Sequence, residues 1–207
     1  MGRPAAAALP DLATAQAAGF PVGGEPLAVD LADTIVTVAD PPVDLLGDDH
    51  ACSRFWQLQG PRLPPGWAQP SPATSRELRD AIRRLLDATL AGQHLDGAAL
   101  AVVNAASASI SASLEAVATD TQLRRVKRWH AANPTDLALG AAARSAIALL
   151  TDPSNLARLR RCANPSCSML FTNGDNRRQW CTPNICGNRT RVARHYRRHR
   201  PNGTTQP

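Results

Sequence analysis

The chain is 207 residues long, and its 23 lysines and arginines outnumber 17 acidic residues, giving a formal net charge of +6. No run approaches the roughly eighteen apolar residues of a membrane-spanning helix, and five cysteines form an odd set that a secreted disulfide scaffold rarely uses. A soluble protein of a reducing cytoplasm is expected, built as one medium domain with a small appendage.

The charge is unevenly placed. Residues 1–157 hold 12 basic and 16 acidic side chains, whereas residues 158–207 hold eleven arginines and a single acid, Asp175. A mildly acidic body thus carries a basic C-terminal region whose field draws polyanions at long range. A solvated basic surface with no partner is the plainer reading of the same pattern.

Residues 1–24 read as a disordered leader, because Pro4, Pro10 and Asp11 interrupt any apolar core of signal-peptide length. In EPLAVDLADTIVTVAD, Leu27, Val29 and Leu31 alternate with Ala28 and Asp30, which predicts a half-buried strand. The proline-rich segment 41–74 is too long for a simple connector, and within it ACSRFWQL predicts a turn or two of helix. Ser75 stands in an N-cap position, and Leu78, Ile82, Leu85, Leu86 and Leu90 recur at three- and four-residue steps, so an amphipathic helix should end near Gly92. Asp96 caps a second helix through DGAALAVVNAASASI, and LEAVATDTQLRRVKRW reads as two short strands about a Thr-Asp turn. Pro134 and Asp136 open a further helix that offers Leu137, Ala141, Ile147 and Leu150 for burial. Asp152 before Pro153 starts another helix leading into the cysteine region.

Four late cysteines form two similar pairs. Cys162 and Cys167 enclose four residues, thirteen follow, and Cys181 and Cys186 again enclose four. Two short loops presenting two sulfurs each suit one tetrahedral zinc ion, with Zn–S distances of about 2.3 Å. The surrounding segment has few apolar groups of its own, among them Leu170, Phe171, Trp180, Ile185, Val192 and Tyr196, so its folding should depend on the metal. A redox pair would need two intervening residues. A mixed site using His195 and His199 stays open, although it would leave Cys162 and Cys167 idle.

RCANPSCSMLF followed by RRQWCTPNICGNRTRVARHYRRHR resembles the CGNR zinc finger of bacterial proteins described as stress-induced transcription regulators. The naming motif is complete as Cys186, Gly187, Asn188 and Arg189, with Trp180 ahead of the third cysteine. Upstream, LAVDLADTI resembles the opening of the N-terminal ABATE domain found in that family, whose members usually carry Asn-Thr where this chain has Asp33-Thr34. The loop after Phe171, TNGDN, also departs from the usual acidic or apolar pair. The resemblance implies an α+β architecture. A mainly helical ABATE-like domain with a small sheet spans 25–157, a small treble-clef-like finger ending in a basic helix spans 158–200, and 201–207 form a disordered tail. It also implies a DNA partner and transcriptional control.

Gly187 would let the chain turn after the last ligand, and Asn188 would cap a helix running to about His199. At 100° per residue, Val192, Ala193 and Tyr196 fall on one side and Arg191, Arg194 and Arg198 nearly opposite, with Arg197 at the flank. Arg189 points toward the apolar side, where a structural role competes with a binding role. Arginine suits paired hydrogen bonds to phosphate or guanine, and Arg177 and Arg178 in the preceding loop are candidates for further phosphate contacts. The expected function is a zinc-dependent DNA-binding regulator whose N-terminal domain senses a signal, with any small-molecule effector unidentified, or forms a homodimer. Two other classes compete: a finger that docks an acidic protein surface or RNA, and an enzyme using Asp30, Asp33, Asp48, Asp49 and His50.

Overall fold

The computed structural model describes residues 12–17, 19–21, 24–174 and 177–187. Residues 1–11 of the expected 1–24 leader, the arginine-rich segment from Asn188 and the tail after Arg200 lie outside these residues, whereas residues 12–17 of that leader are helical rather than disordered and Ala15 and Phe20 are buried in the core. Among the described residues the architecture is α+β, with seven α-helices and three separate two-stranded antiparallel sheets. No described helix is long and apolar enough to cross a membrane.

After α1 (Leu12–Ala17) comes a correction, because the segment expected as a strand is the short helix α2 (Leu27–Ala32). All six of its residues are buried, so alternation of apolar side chains carried no information about two faces. Strands β1 (Ile35–Val36) and β2 (Val43–Asp44) pair directly after it. The proline-rich segment then builds α3 (Asp49–Gln59), capped by the Asp48 side chain and longer than the turn or two expected. Its Cys52, Phe55 and Trp56 are fully buried, so the segment supplies core rather than connection.

Helix α4 (Pro72–Leu90) begins four residues earlier than the sequence suggests: Ser71 accepts the Thr74 amide as N-cap, with proline following it. Ser75 is instead buried in the first turn, where its hydroxyl accepts the Trp56 indole N–H at 3.0 Å. The helix ends as expected at Gly92, which takes a left-handed conformation (φ +62). Asp96 caps α5 (Gly97–Ala108) through both the Ala98 and Ala99 amides. The hairpin β3 (Ile110–Thr119) and β4 (Gln122–Ala131) is far longer than two short strands, with ten residues on each side.

Helix α6 (Pro134–Thr151) closes the helical core against α2, α4 and α5. Its buried face is Leu137, Ala138, Ala142, Ala143, Ala146 and Leu149, one step around from the expected Ala141, Ile147 and Leu150, which are half-buried. Small residues win here because neighbouring elements approach closely. At Gly140 a Cβ atom would come within 2.7 Å of the Ile110 side chain. A single turn, α7 (Pro153–Leu156), leads into β5 (Leu159–Arg161) and β6 (Leu170–Thr172), the hairpin at the root of the cysteine region.

Candidate metal centre

The first cysteine pair sits on the turn between β5 and β6. Cys162 donates its amide to the Met169 carbonyl at 2.9 Å, and Cys167 donates to that of Asn164 at 2.9 Å, so the loop folds back on itself. Of the second pair, Cys181 precedes and Cys186 lies within a single π-helical turn (Pro183–Gly187), in which the amides of Cys186 and Gly187 both converge on the Thr182 carbonyl. Ala163 donates to the Gln179 carbonyl at 2.9 Å and ties the two knuckles together.

All four cysteines are buried, and their sulfurs lie within 4.8 Å of one another. A tetrahedron with Zn–S bonds of about 2.3 Å has edges of about 3.8 Å, and the Cys167 and Cys181 sulfurs stand 3.8 Å apart. As thiols packed this closely they cannot all ionise. A hydrogen bond from Cys181 holds Cys167 down to about 5, and the same bond pushes Cys181 strongly upward. Burial pushes Cys186 up to about 11. A divalent cation at the centre removes this conflict by stabilising every thiolate at once. The Asn164 side-chain amide donates to the Cys186 sulfur at 3.4 Å, an outer contact of the kind that orients a ligand. The set therefore fits one structural zinc bound by Cys162, Cys167, Cys181 and Cys186. It fills a closed four-coordinate site and leaves no position for His195 or His199, both outside the described residues.

Met169 and Phe171 pack against the sulfurs, with Trp180 and Ile185 partly buried around them, while Leu170 faces the helical core instead. Val36 and Val38 of the N-terminal domain complete the metal-side cluster, so the finger is seated on that domain.

Polar contacts fix the seat. Arg83 on α4 pairs with Asp33 at 3.1 Å and donates to the Ser168 carbonyl. Thr37 donates to the Ser166 carbonyl at 2.8 Å and accepts the Ser168 amide at 2.9 Å. Buried Glu25 accepts the Thr172 amide (2.7 Å) and hydroxyl (2.6 Å) with one oxygen, and the Arg178 guanidinium (2.7 Å) with the other. Arg178 also stacks 4.5 Å above the Phe171 ring and donates to the Trp180 and Cys181 carbonyls. Every nitrogen of its guanidinium thus has an acceptor inside the protein. A cleft of about 350 Å³ opens at the same joint, between Glu25, Arg62, Arg158 and Thr172.

The residues considered for catalysis are scattered over several elements. Asp30 pairs with Arg62, Asp33 with Arg83, and Asp48 caps α3, while Asp49 and His50 are exposed in its first turn. Gly187 and Trp180 lie where the motif places them, at the end of the last knuckle and against the metal cluster. Arg177 falls within the described loop, whereas Asn188, Arg189, Arg191, Arg194, Arg197 and Arg198 lie outside the described residues. Sequence reasoning missed the Glu25, Asp33 and Arg83 joint. Its one signal was acidic residues set among otherwise apolar ones at 25–33.

A helical domain carrying a docked four-thiolate knuckle defines a zinc-finger protein. Residues 25–153 match the ABATE family, described as "Putative stress-induced transcription regulator", and residues 158–199 match the CGNR zinc finger. The chain belongs to the ABATE family and carries a CGNR finger at its C-terminal end. These are regulator and zinc-finger families rather than enzyme families. No curated protein matches the sequence.

Proposed function

We propose that this protein is a cytoplasmic transcription regulator without catalytic activity, whose zinc-bound knuckle holds an arginine-rich segment against double-stranded DNA. The observation that carries the reading is position: the fourth sulfur ligand, Cys186, is buried in the metal cluster, and Arg189, Arg191, Arg194, Arg197 and Arg198 follow within twelve residues. A rigid anchor directly upstream of a cationic run gives a polyanion binder a defined orientation. Arg191, Arg194, Arg197 and Arg198 are the proposed contacts, with Arg177 on the adjoining loop. Arg178, given its stacking and its three acceptors, acts instead as a clamp between finger and N-terminal domain.

The N-terminal domain is the sensing or dimerising part. The joint cleft and the buried Glu25 and Asp33 contacts would let an event there reach the finger. A homodimer is expected if the operator is palindromic.

Fluorescence anisotropy with a labelled duplex tests the reading, using full-length zinc-loaded protein, single-strand and RNA competitors, and a salt series. If five arginines neutralise phosphates, affinity drops roughly five-hundredfold between 50 and 200 mM salt. Preference for RNA, or binding only to an acidic protein surface, would replace DNA as the partner.

A further inference from the structure

Within the helical domain, one element stands apart in its charge and exposure. From Ser111 to Arg128 every residue of the β3–β4 hairpin is exposed except the half-buried Val117 and Val126, so only its base is held by the body. That base is fixed by Ile110, which is 2% exposed and packs at Gly140, and by Arg144, which donates to the Ile110 carbonyl. Ten residues per strand give an arm of about 33 Å, and a two-stranded ribbon of this kind is marginally stable without a partner.

Strand β4 carries Arg124, Arg125, Lys127 and Arg128 and no acid. Arg128 pairs with Glu115 at 2.8 Å, and Lys127 lies 3.9 Å over the Trp129 ring. The side chains of Arg124 and Arg125 have no hydrogen-bond or ion-pair partner among the described residues. By contrast, from Arg54 to Arg144 every other arginine of the helical domain meets an acceptor or an aromatic ring. The register puts Arg125, opposite Ala116, on one face and Arg124, opposite Val117, on the other, so both faces of the distal half are cationic. Leu114 and Leu123, 65% and 75% exposed, share the Arg125 face.

We infer that this hairpin is a second DNA-contacting arm, in which Arg124, Arg125 and Lys127 meet backbone phosphates and the exposed leucines contact the groove. The inference rests on the DNA-binding reading of the finger. A two-stranded ribbon fits a major groove about 12 Å wide, where apolar side chains can meet thymine methyl groups. A second copy of the chain is the weaker occupant, since two-fold packing on the leucine face would bring Arg125 and Lys127 near their own counterparts.

The test compares wild-type protein with R124T/R125T, a pair of exposed strand substitutions, by duplex anisotropy across a salt series, with circular dichroism confirming the fold. The expected result is weaker binding to all duplex sequences alike and a log–log salt slope reduced by about 2. Wild-type binding with an unchanged slope and affinity in the variant would overturn the arm and leave the finger reading standing. Absence of duplex binding by the wild type would sink both. A wild-type dimer that L114S/L123S converts to monomer, with the R124T/R125T slope unaltered, would give the face to a second copy and also overturn the arm.

Discussion

Asp33 accepts the Leu170 amide with both carboxylate oxygens, at 2.8 and 3.1 Å across 137 residues of sequence, and so joins the helical domain to the strand that carries the finger. Burial pushes this carboxyl well above its ordinary value, outweighing the opposite pull of Arg83 and the Leu170 amide, although donors surround both of its oxygens.

Asp33→Ala would leave the Leu170 amide and the Arg83 guanidinium short of an acceptor in a buried place, costing about 1–3 kcal/mol. Asp33→Asn keeps one acceptor and leaves Arg83 paired with Asp87, so it should cost less than Asp33→Ala. Denaturant midpoints for the two variants check this; equal losses would refute it.

Asp30 gives a pH signature. Burial raises its carboxyl from 3.8 to about 7, against the pull of Arg62. A carboxyl raised in the folded state stabilises most below its unfolded value, and that contribution disappears as pH climbs through about 7. The wild-type minus Asp30→Asn stability difference should therefore fall by at most about 4 kcal/mol between pH 4 and 7, then level off. Urea titrations of zinc-loaded proteins at each pH measure it, with metal effects cancelling in the difference.

Metal removal should unmake the finger. Purified protein should hold one zinc per chain, and Cys181→Ser should hold much less. Structural zinc supplies roughly 10–16 kcal/mol of apparent binding free energy near neutral pH, so a chelator should open residues 158–187 to protease while the helical core resists. Metal content by mass spectrometry and timed proteolysis give the answer. Unchanged digestion after zinc loss would refute the dependence.

At Gly140, helix propensity favours alanine by about 1 kcal/mol, yet the added methyl would collide with three Ile110 side-chain carbons at 2.7–2.8 Å. Overpacking of this kind costs about 1–3 kcal/mol. Gly140→Ala should lower the melting temperature, and combining it with Ile110→Ala should cost less than the sum of the two alone. Additive losses would show that the contact is not the cause.

The metal site was fully legible because cysteine spacing is a local code: two pairs, each with four intervening residues, needed no knowledge of the fold. The helices at 72–90 and 97–108 were legible through leucine periodicity and the Asp96 cap. Ser75 misled because two serines stand near the same helix start, and only tertiary structure shows that Trp56 claims the second. The Leu27–Ala32 helix misled because six residues buried on all sides leave no amphipathic trace. The finger's seat was illegible for a different reason. Glu25 meets Arg178 across 153 residues, and a single sequence carries no sign of such a pairing.

Successive residues of β6 serve different masters, Leu170 entering the helical core and Phe171 the sulfur cluster. An excised finger would expose Leu159 and Leu170 to water, lose Val36 and Val38 from its own interior, and tend to aggregate. Grafting this finger onto a foreign protein would therefore require transplanting the strand and helix surface beneath it, and in evolution the two halves must change in step.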